Sequence, residues 1–134
     1  MTRRIWILTP LLLAGCGKDA ELPVDLFPET AAGVWKRVAV QNLSASDAPD
    51  PVPRNEIERL READYDGPGK LQARVYQLHS EGVSLELAQR WRPSADTVFL
   101  NVGRYFVVLK WQAAERKPLQ EFVRELQTKL KPRP

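Results

Sequence analysis

Residues 97–112 read TVFLNVGRYFVVLKWQ. Two runs rich in β-branched and aromatic residues flank Gly103, and each run alternates. Val98, Leu100 and Val102 alternate with Phe99 and Asn101, while Tyr105, Val107, Leu109 and Trp111 alternate with Phe106, Val108 and Lys110. A period of two sends successive side chains to opposite faces. The stretch therefore predicts a β-hairpin, Thr97 to Val102 and Arg104 to Gln112, with Gly103 supplying the turn. The second run is apolar on both faces, which places it in the middle of a sheet.

Working toward the C-terminus, Leu119, Phe122, Val123, Leu126 and Leu130 fall on one helical stripe. Pro118 suits a first helical position, Pro132 ends the run, and Glu125 and Lys129 have the spacing of a helical ion pair. Toward the N-terminus, Ser80 is placed to cap a helix running to about Trp91, with Val83, Leu87, Ala88 and Trp91 on its apolar side and Pro93 limiting its end. Leu71 to His79 alternates as a strand. Tyr65-Asp66-Gly67-Pro68-Gly69 is a turn signal. Asn55 and Glu58 have capping-box spacing, and Ile57 with Leu60 gives an apolar edge, so 55–63 is expected to be a short helix. Val34 to Leu43 alternates, with Val34, Lys36, Val38 and Val40 pointing one way and Trp35, Arg37 and Ala39 the other. Ser44 to Pro53 carries three prolines and is expected to be a loop.

These elements give the order β-α-β-α-β-β-α over residues 34–131. The fold class is α+β: a small, mainly antiparallel sheet of about four strands with helices packed on one face. The chain has 134 residues, enough for one domain. Residues 17–33 lack periodicity and are expected to form a tether, with Phe27 docking on the domain; 132–134 are a tail.

The N-terminus reads MTRRIWILTPLLLAGC. Arg3 and Arg4 form a positive start and Ile5 to Ala14 an apolar run. That run is too short for a permanent span, which needs ~20 apolar residues, and it fits an export signal. Leu13-Ala14-Gly15-Cys16 resembles the lipobox of bacterial lipoproteins. The resemblance implies cleavage between Gly15 and Cys16, lipid on the Cys16 sulfur, and a mature chain beginning at Cys16. It further implies a place in the cell envelope. Gly17 stands where many inner-membrane lipoproteins carry an acidic residue, so the implied membrane is the outer one, facing the periplasm. Separately, Tyr65-Asp66-Gly67-Pro68-Gly69, Gln89-Arg90-Trp91 and Gly103-Arg104-Tyr105-Phe106-Val107 are together similar to a bacterial domain family of unknown function over residues 27–130. That resemblance implies a folded domain and no activity.

The formal charge is +3, with 20 basic and 17 acidic residues. Arg3 and Arg4 leave with the signal, so the mature chain is nearly neutral. Its first part, residues 16–86, holds 8 basic and 13 acidic residues, and residues 87–134 hold 10 and 4. Arg90, Arg92, Arg104 and Lys110, with Arg116 and Lys117, form a candidate basic interaction patch. Trp35, Trp91, Tyr105 and Trp111 form a candidate aromatic groove. One Cys and one His exclude a Cys-rich zinc site and a two-His metal motif. Asp64 and Asp66 lack the further oxygens of a calcium loop. Gly67 and Gly69 lack the rest of a phosphate loop. Glu81 and Glu86 are not at helical pairing distance. His79 stands beside Ser80, but strand neighbours point to opposite faces. No catalytic constellation, cofactor, metal or nucleic-acid partner is therefore expected. The leading expectation is a membrane-anchored lipoprotein with a small non-catalytic domain that binds a protein or envelope component. The alternatives are a small-ligand carrier and a hydrolase-type enzyme built around His79.

Overall fold

A computed structural model describes residues 22–23, 25–49, 51–92 and 94–131. The expected signal, Gly15, Cys16, Pro93 and the tail 132–134 lie outside them. Eight elements follow one another: β1 (Thr30–Ala31), β2 (Trp35–Leu43), β3 (Ile57–Gly67), β4 (Gly69–Leu78), α1 (Glu81–Arg90), β5 (Thr97–Val102), β6 (Tyr105–Gln112) and α2 (Arg116–Leu130). The strands form one six-stranded sheet in the order β1-β2-β3-β4-β6-β5, with every pairing antiparallel. The sheet curls into a half-barrel.

This corrects the expected architecture of four strands with helices on one face. The sheet has six strands, and the two helices cover opposite faces. Leu119, Phe122, Leu126 and Leu130 of α2 are buried with Ala63, Tyr65, Leu71, Ala73, Val75, Val107 and Leu109. Leu87 of α1 is buried with the alternate residues Leu60, Tyr76, Leu78, Phe106 and Val108. The period of two along β4 and β6 sorts these residues between an α2 face and an α1 face.

The expected helix over 55–63 is also overturned, because most of it belongs to β3. Arg61, Ala63 and Tyr65 face α2, and Leu60, Glu62 and Asp64 point the other way. A register irregularity between Ile57 and Arg59 puts Ile57 and Leu60 on one face despite their three-residue spacing. A β-bulge thus imitates a helical i,i+3 pair. Asn55 sits in a tight 3-10 turn (Arg54–Glu56) capped by Pro53 with no side-chain bond. A second irregularity between Arg37 and Ala39 breaks the expected alternation of β2. Val40 therefore pairs with Ala63 and shares the Trp35 and Arg37 side, while Ala39 pairs with Asp64.

The segment from Leu22 to Gly33, expected to be part of a tether, is built into the fold. Leu22, Leu26, Phe27 and Ala31 are buried in the α2-face core. Arg37 donates to the Phe27 carbonyl (2.6 Å), and the Tyr65 hydroxyl to the Pro28 carbonyl (2.7 Å). Glu125 and Lys129 do not pair along α2. Glu125 accepts from the Ala32 amide (3.1 Å), and Lys129 meets Asp25 (3.0 Å). The segment around Asp25 and Ala32 is thereby fastened to α2. The loop 44–53 is likewise ordered: Ser44 and Asp47 form a reciprocal capping box, and Ala48 and Val52 are buried against the α1-face core.

The hairpin at Gly103 and the helix cap at Ser80 form as expected. The Ser80 hydroxyl accepts from the Val83 amide at 3.2 Å. The β3–β4 turn needs its glycines. A Cβ on Gly67 would collide with the Val34 carbonyl oxygen, and Gly69 has φ +123° with the Ala113 backbone against it.

Candidate functional site

Helix α1 and the loop 44–53 roof only half of their face. The roofed half ends at the row Leu43, Leu60, Tyr76 and Phe106. Beyond it, toward the β3–β4 turn, the same face carries polar side chains in register. One row holds Gln41, Glu62, Arg74 and Val108; the next Ala39, Asp64, Gln72 and Lys110; the last Lys36, Asp66, Lys70 and Gln112. Strand β3 thus contributes a line of three acids at alternate positions, with bases on β4 and at Lys36 and Lys110 on either side. An open cleft of about 540 Å³ lies here, lined by Val38, Asp64, Asp66, Gln72 and Lys110 among others.

The row nearest the roof is the rigid one. Arg74 donates from Nε to Glu62 Oε2 at 2.6 Å, and Gln41 donates to the other Glu62 oxygen at 3.1 Å. Glu62 is only 6% exposed, so its charge needs both partners. Burial opposes the charge on Arg74, but the bonds to Tyr76 and Glu62 outweigh it and raise its pKa. Burial raises the Tyr76 hydroxyl, with Arg74 opposing. Outward from this row the groups loosen. Gln72 reaches Asp64 at 3.4 Å, and Lys70 meets Asp66 at 3.1 Å with both side chains more than half exposed. Exposed ion pairs contribute little to stability, ~0–1 kcal/mol, so Lys70 and Asp66 can exchange each other for a ligand at small cost, while the Gln72–Asp64 bond is part-buried.

The candidate residues read from the sequence are scattered. Lys110 lines the cleft, but Arg104 stands six residues away along β6, roughly 20 Å at strand spacing, and pairs with Glu58 (3.3 Å). Arg90 and Arg92 are exposed around the end of α1. The four bases do not form one patch. The four aromatics do not form one groove. Trp35 is fully buried, donates to the Pro118 carbonyl (3.0 Å), and meets Phe122 edge-on. Trp91 packs on Phe106 and Phe99 across the other face. Tyr105 and Trp111 are partly buried at opposite ends of β6. His79 is exposed at the end of β4, with Ser80 committed to its helix cap.

Asp64 and Asp66 belong to the cleft, whereas sequence reading gave them only a turn. The signal was present as three acids at i, i+2 and i+4, but it was hidden by the helical reading of 55–63. Among the described residues no cluster of His, Cys, Asp and Glu could hold a metal ion, and no helix is long and apolar enough to cross a membrane. No family model matches the chain, and no curated protein or solved structure matches it.

Proposed function

We propose that this chain is a lipid-anchored binding module of the bacterial envelope, and that the open half of the α1 face is its binding surface. The carrying observation is the half-roofed face. A rigid Glu62–Arg74 row borders the Gln72–Asp64 bond, the exposed Lys70–Asp66 pair and Lys110 around a cleft. Alternating signs in fixed register suit a polar partner bearing both charges, such as a segment of an envelope protein. The anchor rests on the lipobox Leu13-Ala14-Gly15-Cys16, and outer-membrane placement on Gly17.

The carrier reading has one observation in its favour, since the cleft volume falls within the ~300–1,000 Å³ of small-ligand pockets. Against it, the cleft is open, and the interface of α2 with the sheet is filled by Trp35, Tyr65 and Phe122.

A photo-crosslinking side chain placed in living cells at Gln72 tests the binding surface, with Gln120 on the exposed side of α2 as the comparison. A discrete adduct from position 72 only, lost on Lys110→Glu, is expected. Equal adducts from both positions, or none from either, would exclude this face as the binding surface.

A further inference from the structure

Leu22, the first buried residue among those described, lies close in sequence to Cys16. Five residues, 17–21, separate them, and whatever their conformation they reach at most roughly 20 Å. A domain of this size is wider than that, with a radius of gyration of about 13 Å. A lipid on Cys16 therefore holds the surface around Leu22 toward the bilayer.

Among the described residues that surface is basic. Arg61 reaches Pro23 O (3.4 Å) and Asn42 Oδ1 (3.0 Å), both neutral partners that leave its charge uncancelled. Arg59 lies two residues away on the same face of β3 and is exposed, as is Lys131 just beyond α2, whose last buried residue, Leu130, shares a core with Leu22. Two of the described acids near it have cationic partners, Asp25 in Lys129 and Glu58 in Arg104. Among the described residues none of Arg59, Arg61 and Lys131 is in an ion pair.

We propose that this end of the domain rests on anionic lipid headgroups, with Arg59, Arg61 and Lys131 as the contacts, and that the charge-laddered cleft consequently points away from the membrane. The inference rests on the anchor reading. Two observations carry it: the length of chain between anchor and core, and the charge of the surface where that chain emerges. Basic side chains near an anionic bilayer are attracted over about a Debye length, ~8–10 Å. The short connection keeps these three residues near that range. The cleft lies on the opposite sheet face, five residues further along β3 at Asp66.

With the Cys16 sulfur in a thioether, an introduced cysteine is the only thiol available for labelling. The full mature lipoprotein, labelled with a fluorophore at Thr128→Cys or at Gln112→Cys, is reconstituted into phosphatidylglycerol-containing vesicles carrying a headgroup quencher. Quenching at position 128 should exceed that at 112 by at least about threefold, and the ratio should fall toward one in phosphatidylcholine vesicles or on Arg59→Glu/Lys131→Glu. A ratio near one in the anionic vesicles overturns the proposal. A ratio indifferent to lipid composition overturns the role given to the basic residues without relying on any variant. The mass of the Cys16 peptide, measured on the same sample, separates the two levels: an unmodified Cys16 overturns the anchor itself, and a lipidated Cys16 with equal quenching overturns only the orientation.

Discussion

Tyr65 shows how much one side chain carries in this fold. It is 1% exposed, meets Phe122 edge-on at 5.1 Å, and donates to the Pro28 carbonyl. Burial pushes its hydroxyl well above the ordinary tyrosine range; Arg37 opposes this and Glu125 adds to it. The unfolded chain ionises this group near pH 10, while the folded chain resists. Its contribution is therefore intact below that pH and is lost as pH rises above it. Denaturant midpoints measured from pH 8 to 12 should fall above pH 10, and Tyr65→Phe should fall less steeply. At pH 8 the same substitution removes one hydrogen bond and costs ~1 kcal/mol. Glu62 and Arg74 form a coupled pair. Arg74→Met strands a carboxylate with only Gln41 beside it. Because Arg74 is 26% exposed on its side chain, the cost falls below the 3–5 kcal/mol of a fully buried pair, at about 1–3 kcal/mol. Adding Glu62→Gln should recover part of it, and a double-mutant cycle in chemical denaturation reads the coupling.

At the scale of elements, the hairpin 97–112 and the stripe of α2 were legible because each carries one uninterrupted period. Leu119, Phe122, Leu126 and Leu130 are buried at the positions the stripe assigns. Strand β3 was illegible for a specific reason. Its bulge re-phases Ile57 against Leu60, and the capping-box spacing of Asn55 and Glu58 completes the likeness to a helix over 55–63. The cleft went unread with it, because Asp64 and Asp66 gain their meaning only beside Gln72, Lys70 and Lys110 on paired strands. β1 is two residues long and carries no periodicity to detect. The β3–β4 turn makes a prediction of its own. Gly67→Ala must displace the Val34 backbone, whereas Gly103→Ala, at φ +58° in open space, meets only the left-handed penalty of ~1–2 kcal/mol. Thermal unfolding should place Gly67→Ala below Gly103→Ala.

For the whole molecule, the decisive difference between sequence and structure is where the domain begins. Residues 17–33 read as a tether because Pro, Ala and acidic residues obscure two buried anchors, Leu22 and Leu26, beside Phe27, which docks as expected. A domain of this size has ~5–15 kcal/mol of stability, and Phe27→Ala should remove about 3–5 kcal/mol of it. A segment acting only as a tether would show no change in the denaturation midpoint. Fastening this segment to α2 through Glu125 and Lys129 leaves five residues between Leu22 and Cys16, and the proposed membrane-facing orientation rests on that short spacing. Both the envelope location and the orientation therefore depend on the proposed anchor. Its most direct test is the intact mass of the protein extracted from bacterial membranes. An anchored protein is expected to begin at Cys16 with a diacylglyceryl group on its sulfur, and a chain with the signal retained or an unmodified Cys16 would contradict the proposal.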